Sequence, residues 1–194
     1  HGLTAPTETL DVGNSGTTLR LMSGLLSAQP FSSHLTGDPT IQKRPMGRVA
    51  DPIGLMGGKL LSDTAGGKLT APLTIYGTKL TAIDYTLPVA SAQVKSALIL
   101  AGMYAEGITK ITEPEKTRDH TEIMLNYLGA DIRKEGNTIL IHPVDELTAK
   151  DLSVPGDISS AAYFIAAALI CPNSEIIIEN VGVNPTRTGI IEAF

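Results

Sequence analysis

The sequence predicts an α+β fold built from copies of one unit, in which strand, helix, strand, helix, strand and strand follow one another. The part of this order from the first turn to the second helix recurs in three segments, at residues 10–58, 87–132 and 154–194, with the third copy incomplete. The strands that complete a unit are expected in the stretches between these segments. Each opens with a turn of small polar residues, continues into an apolar helix and later reaches an arginine before a second helix. Such a repeat indicates stacked copies of one supersecondary unit.

The spacing between the polar turn and the arginine supports this repeat. It is 30, 27 and 30 positions, measured from Asn14 to Arg44, from Ser91 to Arg118 and from Asp157 to Arg187. Because stacked copies share an orientation, we expect their turns and arginines to collect on one face of the fold.

Local signals place the elements within each copy. Gly13 and Gly16 allow a sharp turn before the first helix. Pro45 suits the first position of the second helix, and Pro52 predicts a kink in that helix or a late start. Alternation and glycine punctuation predict the other elements. These are strands at 33–36, 68–73, 73–76, 80–85, 108–111 and 175–179, a helix at 121–128, and a hairpin of 131–134 with 138–142.

Composition and charge exclude several classes of function. The 194 residues carry a net charge of −5, with 4% aromatic residues and no Trp. Nucleic-acid binding requires clustered cations or aromatic stacking platforms, so we expect no nucleic-acid partner. No apolar run reaches the roughly 20 residues that span a bilayer, so we expect no membrane partner.

Cysteine and histidine usage indicates the compartment and the absence of a metal. The single cysteine, Cys171, excludes an internal disulfide and favours a reducing, cytoplasmic location. It lies in the apolar run 166–171, so we expect a buried thiol. The four histidines are scattered and none stands at metal-ligand spacing, so we expect no metal site.

The shared face of the three copies predicts an anion site. Guanidinium groups and helix N-termini both favour carboxylate and phosphate groups. We therefore expect a site for a small, multiply anionic substrate. The residues expected there are Arg20, Arg44, Arg48, Arg118, Arg187, Ser91, Gln93, Asp119 and Asp157.

Structural roles are the alternatives for several of these side chains. Arg48 also suits a solvated helix position, and Arg187 could brace its own loop. Asp119 and Asp157 stand at helix starts, where capping is the usual role. His120 has packing or capping as its alternative to catalysis. No Ser-His-Asp arrangement, P-loop or dinucleotide-binding motif is present.

Six motifs resemble those of the 5-enolpyruvylshikimate-3-phosphate synthase family, in the form common in bacilli and their relatives. They occur in the family's order and cover essentially the whole chain, at 11–20 (DVGNSGTTLR), 43–48 (KRPMGR), 90–97 (ASAQVKSA), 117–122 (TRDHTE), 154–161 (VPGDISSA) and 184–189 (NPTRTG). The resemblance implies an enolpyruvyl transferase-like fold, an inside-out α/β barrel of βαβαββ units. It also implies two domains of three units each, with the substrates in the cleft between them.

The resemblance implies an activity in the shikimate pathway of aromatic amino acid biosynthesis. The enolpyruvyl group of phosphoenolpyruvate is transferred to the 5-hydroxyl of shikimate 3-phosphate through a tetrahedral intermediate, and phosphate is released. No metal or organic cofactor takes part. By position, the phosphoenolpyruvate-binding residues are Gly16, Arg44, Gln93, Asn14 and Thr17, and the shikimate-3-phosphate-binding residues are Ser91, Ala92, Gln93 and Arg118.

Two of these positions distinguish branches of the family. Ala92 replaces a serine found in other branches, so only its backbone is expected to contribute. Gly16 occupies the position where alanine accompanies glyphosate resistance in some relatives, and it resembles the sensitive type.

Departures from the family pattern indicate an internal fragment. No residue of this chain matches the family's N-terminal Lys-Ser-x-x-x-x-Arg segment or its acid–base carboxylates, so we expect no catalytic residue here. We interpret residues 1–153 as the second and third units of one domain and 154–194 as the start of the other. We expect the fragment to be inactive alone and to associate with itself through exposed edges.

Three other interpretations stay open. The related UDP-N-acetylglucosamine enolpyruvyl transferase uses a loop cysteine, whereas Cys171 lies in an apolar run. RNA 3′-terminal phosphate cyclase shares the unit but needs a nucleotide-linked histidine and a basic surface. A small-anion-binding or interaction module without catalysis also fits a fragment.

Overall fold

The computed structural model describes residues 2–63 and 67–193. The chain divides into two compact units. The first comprises His1–Thr117 and Thr121–Thr148, and the second comprises Arg118–His120 and Ala149–Phe194. No helix in the described part of the chain is long and apolar enough to cross a membrane.

Two copies of the predicted βαβαββ unit make up the first compact unit. The first copy consists of β1 (Leu10–Asp11), α1 (Gly16–Ser27), β2 (Ser32–Thr36), α2 (Gly47–Leu55), β3 (Lys59–Ser62) and β4 (Leu73–Tyr76). The second consists of β5 (Asp84–Thr86), α3 (Ala92–Gly102), β6 (Thr109–Thr112), α4 (His120–Tyr127), β7 (Ile132–Glu135) and β8 (Thr138–Ile141).

The two sheets have the same topology, which confirms the repeat. Their strand orders are β1-β2-β4-β3 and β5-β6-β8-β7. In each sheet the first two strands are parallel and the other neighbours are antiparallel. In the predicted hairpin Glu135 pairs with Thr138, so only Gly136 and Asn137 form the turn, and Gly136 has a positive φ of 63°.

One continuous apolar core joins the two copies. Helices and strands of both copies contribute fully buried side chains to it, namely Leu19 on α1, Leu98 on α3, Ile75 on β4 and Ile139 on β8. Helices α1 and α3 pack closely because Gly24 has no side chain, and a Cβ there would collide with the Ala97 carbonyl group. This crossing holds the two helices in a fixed relation.

Two expectations for the first copy are wrong. The first strand after α2 is Lys59–Ser62, whereas 68–73 is not a strand, because β3 is the segment that pairs with β4. Pro45 precedes the helix, since Met46 is its N-cap and Gly47 its first residue. Pro52 lies inside α2, where it cannot donate an N–H to the carbonyl four residues earlier.

The second compact unit contains α5 (Ile158–Ile170) and α6 (Gly189–Ala193). The strand predicted at 175–179 is absent from this described segment, because the only β-bridge there joins Gly156 to Val181. The expectation of a buried thiol is also wrong. Cys171 is exposed at the C-terminal cap of α5, a helix whose Tyr163 is 81% exposed.

Candidate functional site

A polar turn leads into the first residue of α1. The backbone turns at Gly13, whose φ is +57° and whose N–H donates to Asp11 Oδ1 at 2.8 Å. Ser15 is the N-cap, and its hydroxyl accepts from the N–H of Thr18 at 3.1 Å. The helix therefore begins at Gly16 with free N–H groups and the positive end of its dipole at this turn.

Helix α3 begins in the same way at the equivalent position of the second copy. Ser91 is the N-cap, and its Oγ lies 3.4 Å from the N–H of Val94, at the long end of hydrogen-bond distances. Capping uses only an acceptor lone pair, so the hydroxyl proton of Ser91 is free to be donated elsewhere. Ala92 is the first helical residue, and its methyl group offers no polar contact.

Gln93 links the two helix starts. Its Oε1 accepts from Arg20 Nη1 at 2.9 Å, and its Nε2 donates to Thr17 Oγ1 at 2.7 Å. The same Arg20 nitrogen donates to the carbonyl oxygen of Gly16 at 3.1 Å. The side chains of Arg20, Gln93 and Thr17 therefore fix the first turn of α1 against the first turn of α3.

A pocket of about 470 Å³ opens beside this link, within the first compact unit. Its lining combines two arginines, one carboxylate and the start of α3. The lining residues are Arg20, Pro45, Gly47, Arg48, Asp51, Ser91, Gln93 and Val94. The pocket has the size of a small-molecule site.

Three guanidinium groups give this region its positive charge. Burial lowers the pKa of Arg20, and the nearby charges of Arg44 and Arg48 lower that pKa further. The side chains of Arg44 and Arg48 have no hydrogen-bond or ion-pair partner among the described residues. A bound anion would compensate these like charges, so the geometry suits phosphate or carboxylate.

Gly16 leaves room for two of these arginines. A Cβ placed at Gly16 would lie 3.0 Å from Arg20 Nη1 and 3.2 Å from Arg44 Nη1. Both distances are shorter than ordinary van der Waals contact between carbon and nitrogen. The missing side chain therefore allows both guanidinium groups to approach the N-terminus of α1.

Asp38 holds the loop that leads to Arg44. Its Oδ1 accepts from the Thr40 hydroxyl at 2.7 Å and from the Ile41 N–H at 2.9 Å, and its Oδ2 accepts from Asn14 Nδ2. These hydrogen bonds, of which that from the Thr40 hydroxyl has the largest effect, lower the pKa of Asp38 to about 2. Asn14 also donates to Thr40 Oγ1 at 2.9 Å, so its amide nitrogen joins the polar turn to this loop.

The sequence did not identify Asp38 as part of the site. Its signal is the run Gly37-Asp38-Pro39-Thr40, in which an Asp begins a turn and caps the N–H groups that follow. In the structure that turn sets the path of the chain toward Arg44.

The structure thus brings together most of the expected residues. Gly16, Thr17, Arg20, Arg44, Arg48, Ser91, Ala92 and Gln93 lie at the starts of α1 and α3 or beside them. Arg118, Asp119, Asp157 and Arg187 belong to the second compact unit. Among the described residues there is no group of His, Cys, Asp and Glu that could hold a metal ion.

Two of the expected residues in the second unit, Asp157 and Arg187, have the structural contacts named as their alternatives. Asp157 is the N-cap of α5 and accepts from the Ser159 N–H at 3.0 Å, a bond that lowers the pKa of Asp157. Arg187 donates to the hydroxyl of Ser159, and Asp119 accepts from Asn184 Nδ2 at 2.9 Å. These contacts brace the loops around α5.

Several known proteins are similar to this chain in sequence and in fold. Residues 1–194 match the profile of a family described as EPSP synthase (3-phosphoshikimate 1-carboxyvinyltransferase). The 3-phosphoshikimate 1-carboxyvinyltransferase of Geotalea daltonii is 56% identical over 99% of this chain, and that of Bacillus anthracis is 55% identical over all of it. A solved EPSP synthase from Acinetobacter baumannii superposes with a TM-score of 0.89 at 52% identity, over 99% of this chain.

The match covers only part of each relative. The chain spans 44% of the Geotalea protein, 45% of the Bacillus protein and 43% of the Acinetobacter chain. The described residues form two mixed sheets and no closed barrel. This agrees with the prediction of an incomplete enolpyruvyl transferase-like fold. With a family match over its whole length and a shared fold, the chain belongs to the EPSP synthase family.

Proposed function

We propose that this chain forms one wall of the active site of a 3-phosphoshikimate 1-carboxyvinyltransferase. That enzyme transfers the enolpyruvyl group of phosphoenolpyruvate to shikimate 3-phosphate, a step of aromatic amino acid biosynthesis in the shikimate pathway. The observation that carries the proposal is the pocket at the start of α3, which is lined by Arg20 and Arg48. Arg44 lies beside it at the start of α1, and neither Arg44 nor Arg48 has an ion-pair partner among the described residues.

The start of α1 is assigned to phosphoenolpyruvate, which carries a phosphate and a carboxylate. Gly16 gives backbone access at the helix N-terminus, and Arg44 supplies a planar guanidinium group for two oxygens. Thr17 and Gln93 supply a hydroxyl and an amide at the same turn. Asn14 acts through the loop that it bonds, since its amide nitrogen is used by Asp38 and Thr40.

The start of α3 is assigned to shikimate 3-phosphate. Ser91 donates its free hydroxyl proton, and Ala92 contributes only its backbone N–H near the helix N-terminus. Gln93 has a second amide proton beyond the one given to Thr17, and this proton is available to the substrate. Arg118 is assigned to the phosphate of this substrate by its match to the family motif.

These residues bind and orient the two anions, so their contribution is positioning and charge compensation. No described residue is assigned as the acid or base of the reaction. The chain spans less than half of its relatives, and we propose that the 194-residue chain alone does not turn over. We assign residues 1–153 to one domain and 154–194 to the start of the other.

Calorimetry tests this proposal directly. Shikimate 3-phosphate is titrated into the chain with and without phosphoenolpyruvate, and shikimate without its phosphate serves as the control ligand. We expect binding of the phosphorylated compound, no binding of shikimate, and weaker binding by the Arg44→Gln variant when phosphoenolpyruvate is present. Equal heats from shikimate and shikimate 3-phosphate would contradict the proposal, and UDP-N-acetylglucosamine binding would favour the related transferase.

Two further assignments go with this function. The first is a cytoplasmic location, because Cys171 is a free cysteine and reduced thiols are typical of the cytoplasm. The exposed apolar side chains of α5, such as Tyr163 and Ile170, are the surfaces through which we propose that the isolated chain associates with itself. Sedimentation at rising concentration measures this, and a monomer throughout would disprove the association.

A further inference from the structure

A cluster of buried charges lies behind the start of α3. The Lys95 side chain is fully buried, and its Nζ lies 3.1 Å from Glu113 Oε2 and 2.7 Å from Glu122 Oε1. The side chains of Glu113 and Glu122 are 0% and 10% exposed. We refer to Lys95, Glu113 and Glu122 as the Lys95 cluster. None of its members lines the pocket of about 470 Å³.

The equivalent helix positions in the other copies show that the fold does not require an ion here. Lys95 is the fourth residue after the N-cap Ser91. The fourth residue after the N-cap is Leu19 in α1 and Ala161 in α5, and both are buried. An apolar residue therefore fills this position in two of three copies, and a buried ion pair gives no general advantage in stability over apolar packing.

The Lys95 cluster is connected to the residues assigned to shikimate 3-phosphate. The backbone N–H of Lys95 donates to the Ser91 carbonyl oxygen at 3.0 Å, so the residue closes the first turn of α3. Gln93 lies two positions earlier, which places it away from Lys95 around the helix. The Lys95 side chain thus anchors the turn on its buried side while Ser91 and Gln93 reach the pocket.

The carboxylates of the cluster fix this turn to the connection between β6 and α4. Glu113 follows β6 directly, and its Oε1 accepts from the Thr117 hydroxyl, one residue before Arg118. Glu122 lies in the first turn of α4, where Ser96 and Thr121 form a second link at 2.6 Å between their hydroxyl oxygens. Both carboxylate oxygens of Glu122 are buried without a hydrogen bond among the described residues, so the ion pair of Oε1 with Lys95 Nζ compensates that carboxylate.

We propose that Lys95 is a positioning residue for shikimate 3-phosphate: through Glu113 and Glu122 it fixes the first turn of α3, and with it Ser91 and Gln93, in the binding geometry. The inference rests on the proposed function for the identity of the ligand. The order of the α3 start, however, can be measured without any ligand.

A variant without charges in the cluster provides the test. Lys95→Met alone would leave two buried carboxylates unpaired and strongly destabilise the fold, so it is combined with Glu113→Gln and Glu122→Gln. The control variant is Leu60→Ala on β3, which loses buried apolar contacts outside the pocket. Both variants are compared with the parent chain by thermal unfolding, by calorimetry with shikimate 3-phosphate and by amide hydrogen exchange.

We expect the triple variant to bind shikimate 3-phosphate at least about tenfold more weakly than the parent, which corresponds to about 1.4 kcal/mol. Leu60→Ala should keep the parent's affinity at a comparable loss of Tm. In the triple variant, amide exchange should accelerate at residues 94–96 while the amides of α1 keep their protection. Parent-like affinity with a lowered Tm would overturn the inference.

The two proposals fail in different ways. If the parent chain itself does not bind shikimate 3-phosphate, the proposed function fails, and the exchange data then decide the role of Lys95. Faster exchange confined to the start of α3 supports positioning by the cluster. Exchange that accelerates evenly over both copies shows a general loss of stability and overturns it.

Discussion

Replacing Gly16 by alanine should weaken phosphoenolpyruvate binding without destabilising the chain. The new Cβ would lie 3.0 Å from Arg20 Nη1 and 3.2 Å from Arg44 Nη1, so both guanidinium groups must move by a few tenths of an ångström. Overpacking typically costs ~1–3 kcal/mol. The displaced atoms are the ends of flexible side chains, which can move away without straining the fold, so we expect the cost to fall on the bound anion rather than on stability. We take it as about 1.4 kcal/mol, a tenfold loss of affinity.

The effect on stability should have the opposite sign. Gly16 is the first residue of α1 and has no positive φ, so alanine is compatible with its backbone. Alanine is favoured over glycine in helices by roughly 0.5–1 kcal/mol. Stability should therefore be unchanged or slightly raised while affinity falls.

Gly54→Ala is the matched control for this prediction. Gly54 is also helical, in α2, and a Cβ there would meet nothing within 4 Å. Phosphoenolpyruvate is titrated by calorimetry into each chain saturated with shikimate 3-phosphate, and Tm is measured in parallel. Parent-like affinity of Gly16→Ala, or an equal loss in Gly54→Ala, would refute the crowding of the two arginines.

Three further predictions concern neighbouring side chains. Gln93→Ala removes the link between α1 and α3, so both substrates should bind more weakly in calorimetry, by about 1–3 kcal/mol. Ser91→Ala should reduce the affinity for shikimate 3-phosphate and leave Tm nearly unchanged, because its capping bond is long at 3.4 Å. Ser15→Ala, which removes a cap at 3.1 Å, should mainly lower Tm. The folded pKa of Asp38 is about 2, below the value of about 3.9 for a free Asp side chain, so its stabilisation is complete above about pH 4 and lost toward pH 2. Urea unfolding should show the parent's advantage over Asp38→Asn disappearing in that window.

The sequence predicted the repeat because its signals are local. Apolar periodicity, glycine turns and small polar helix caps lie within one copy of the unit, and the spacing of turn and arginine recurs between copies. The same local signals failed where pairing with another strand decides whether a segment becomes a strand. Residues 175–179 have the composition of a strand, yet they form none because no other strand in the described part of the chain pairs with them.

The contributions of Asp38 and Lys95 needed the structure for a similar reason. Asp38 acts through Asn14, which lies 24 positions away in the chain, and Lys95 acts through Glu113, which lies 18 positions away. The local pattern around Asp38 indicates a turn, but nothing in either local pattern shows which distant side chains Asp38 and Lys95 contact. For Cys171 the local pattern predicted a buried thiol, but the side chain is exposed, because an apolar run is buried only when another element covers it.

The repeat itself accounts for the chemistry of the pocket. Thr17 and Gln93 are each the second residue after an N-cap, so they occupy equivalent positions in the two copies, and their side chains are hydrogen-bonded to each other. Packing the copies through Gly24 and Ala97 therefore aligns two helix N-termini, and the positive ends of both dipoles meet there. Three arginines add to this charge in a chain whose net charge is −5. The proposed anion between the two copies would compensate these like charges, so we expect its binding to stabilise the folded chain as well as complete the site.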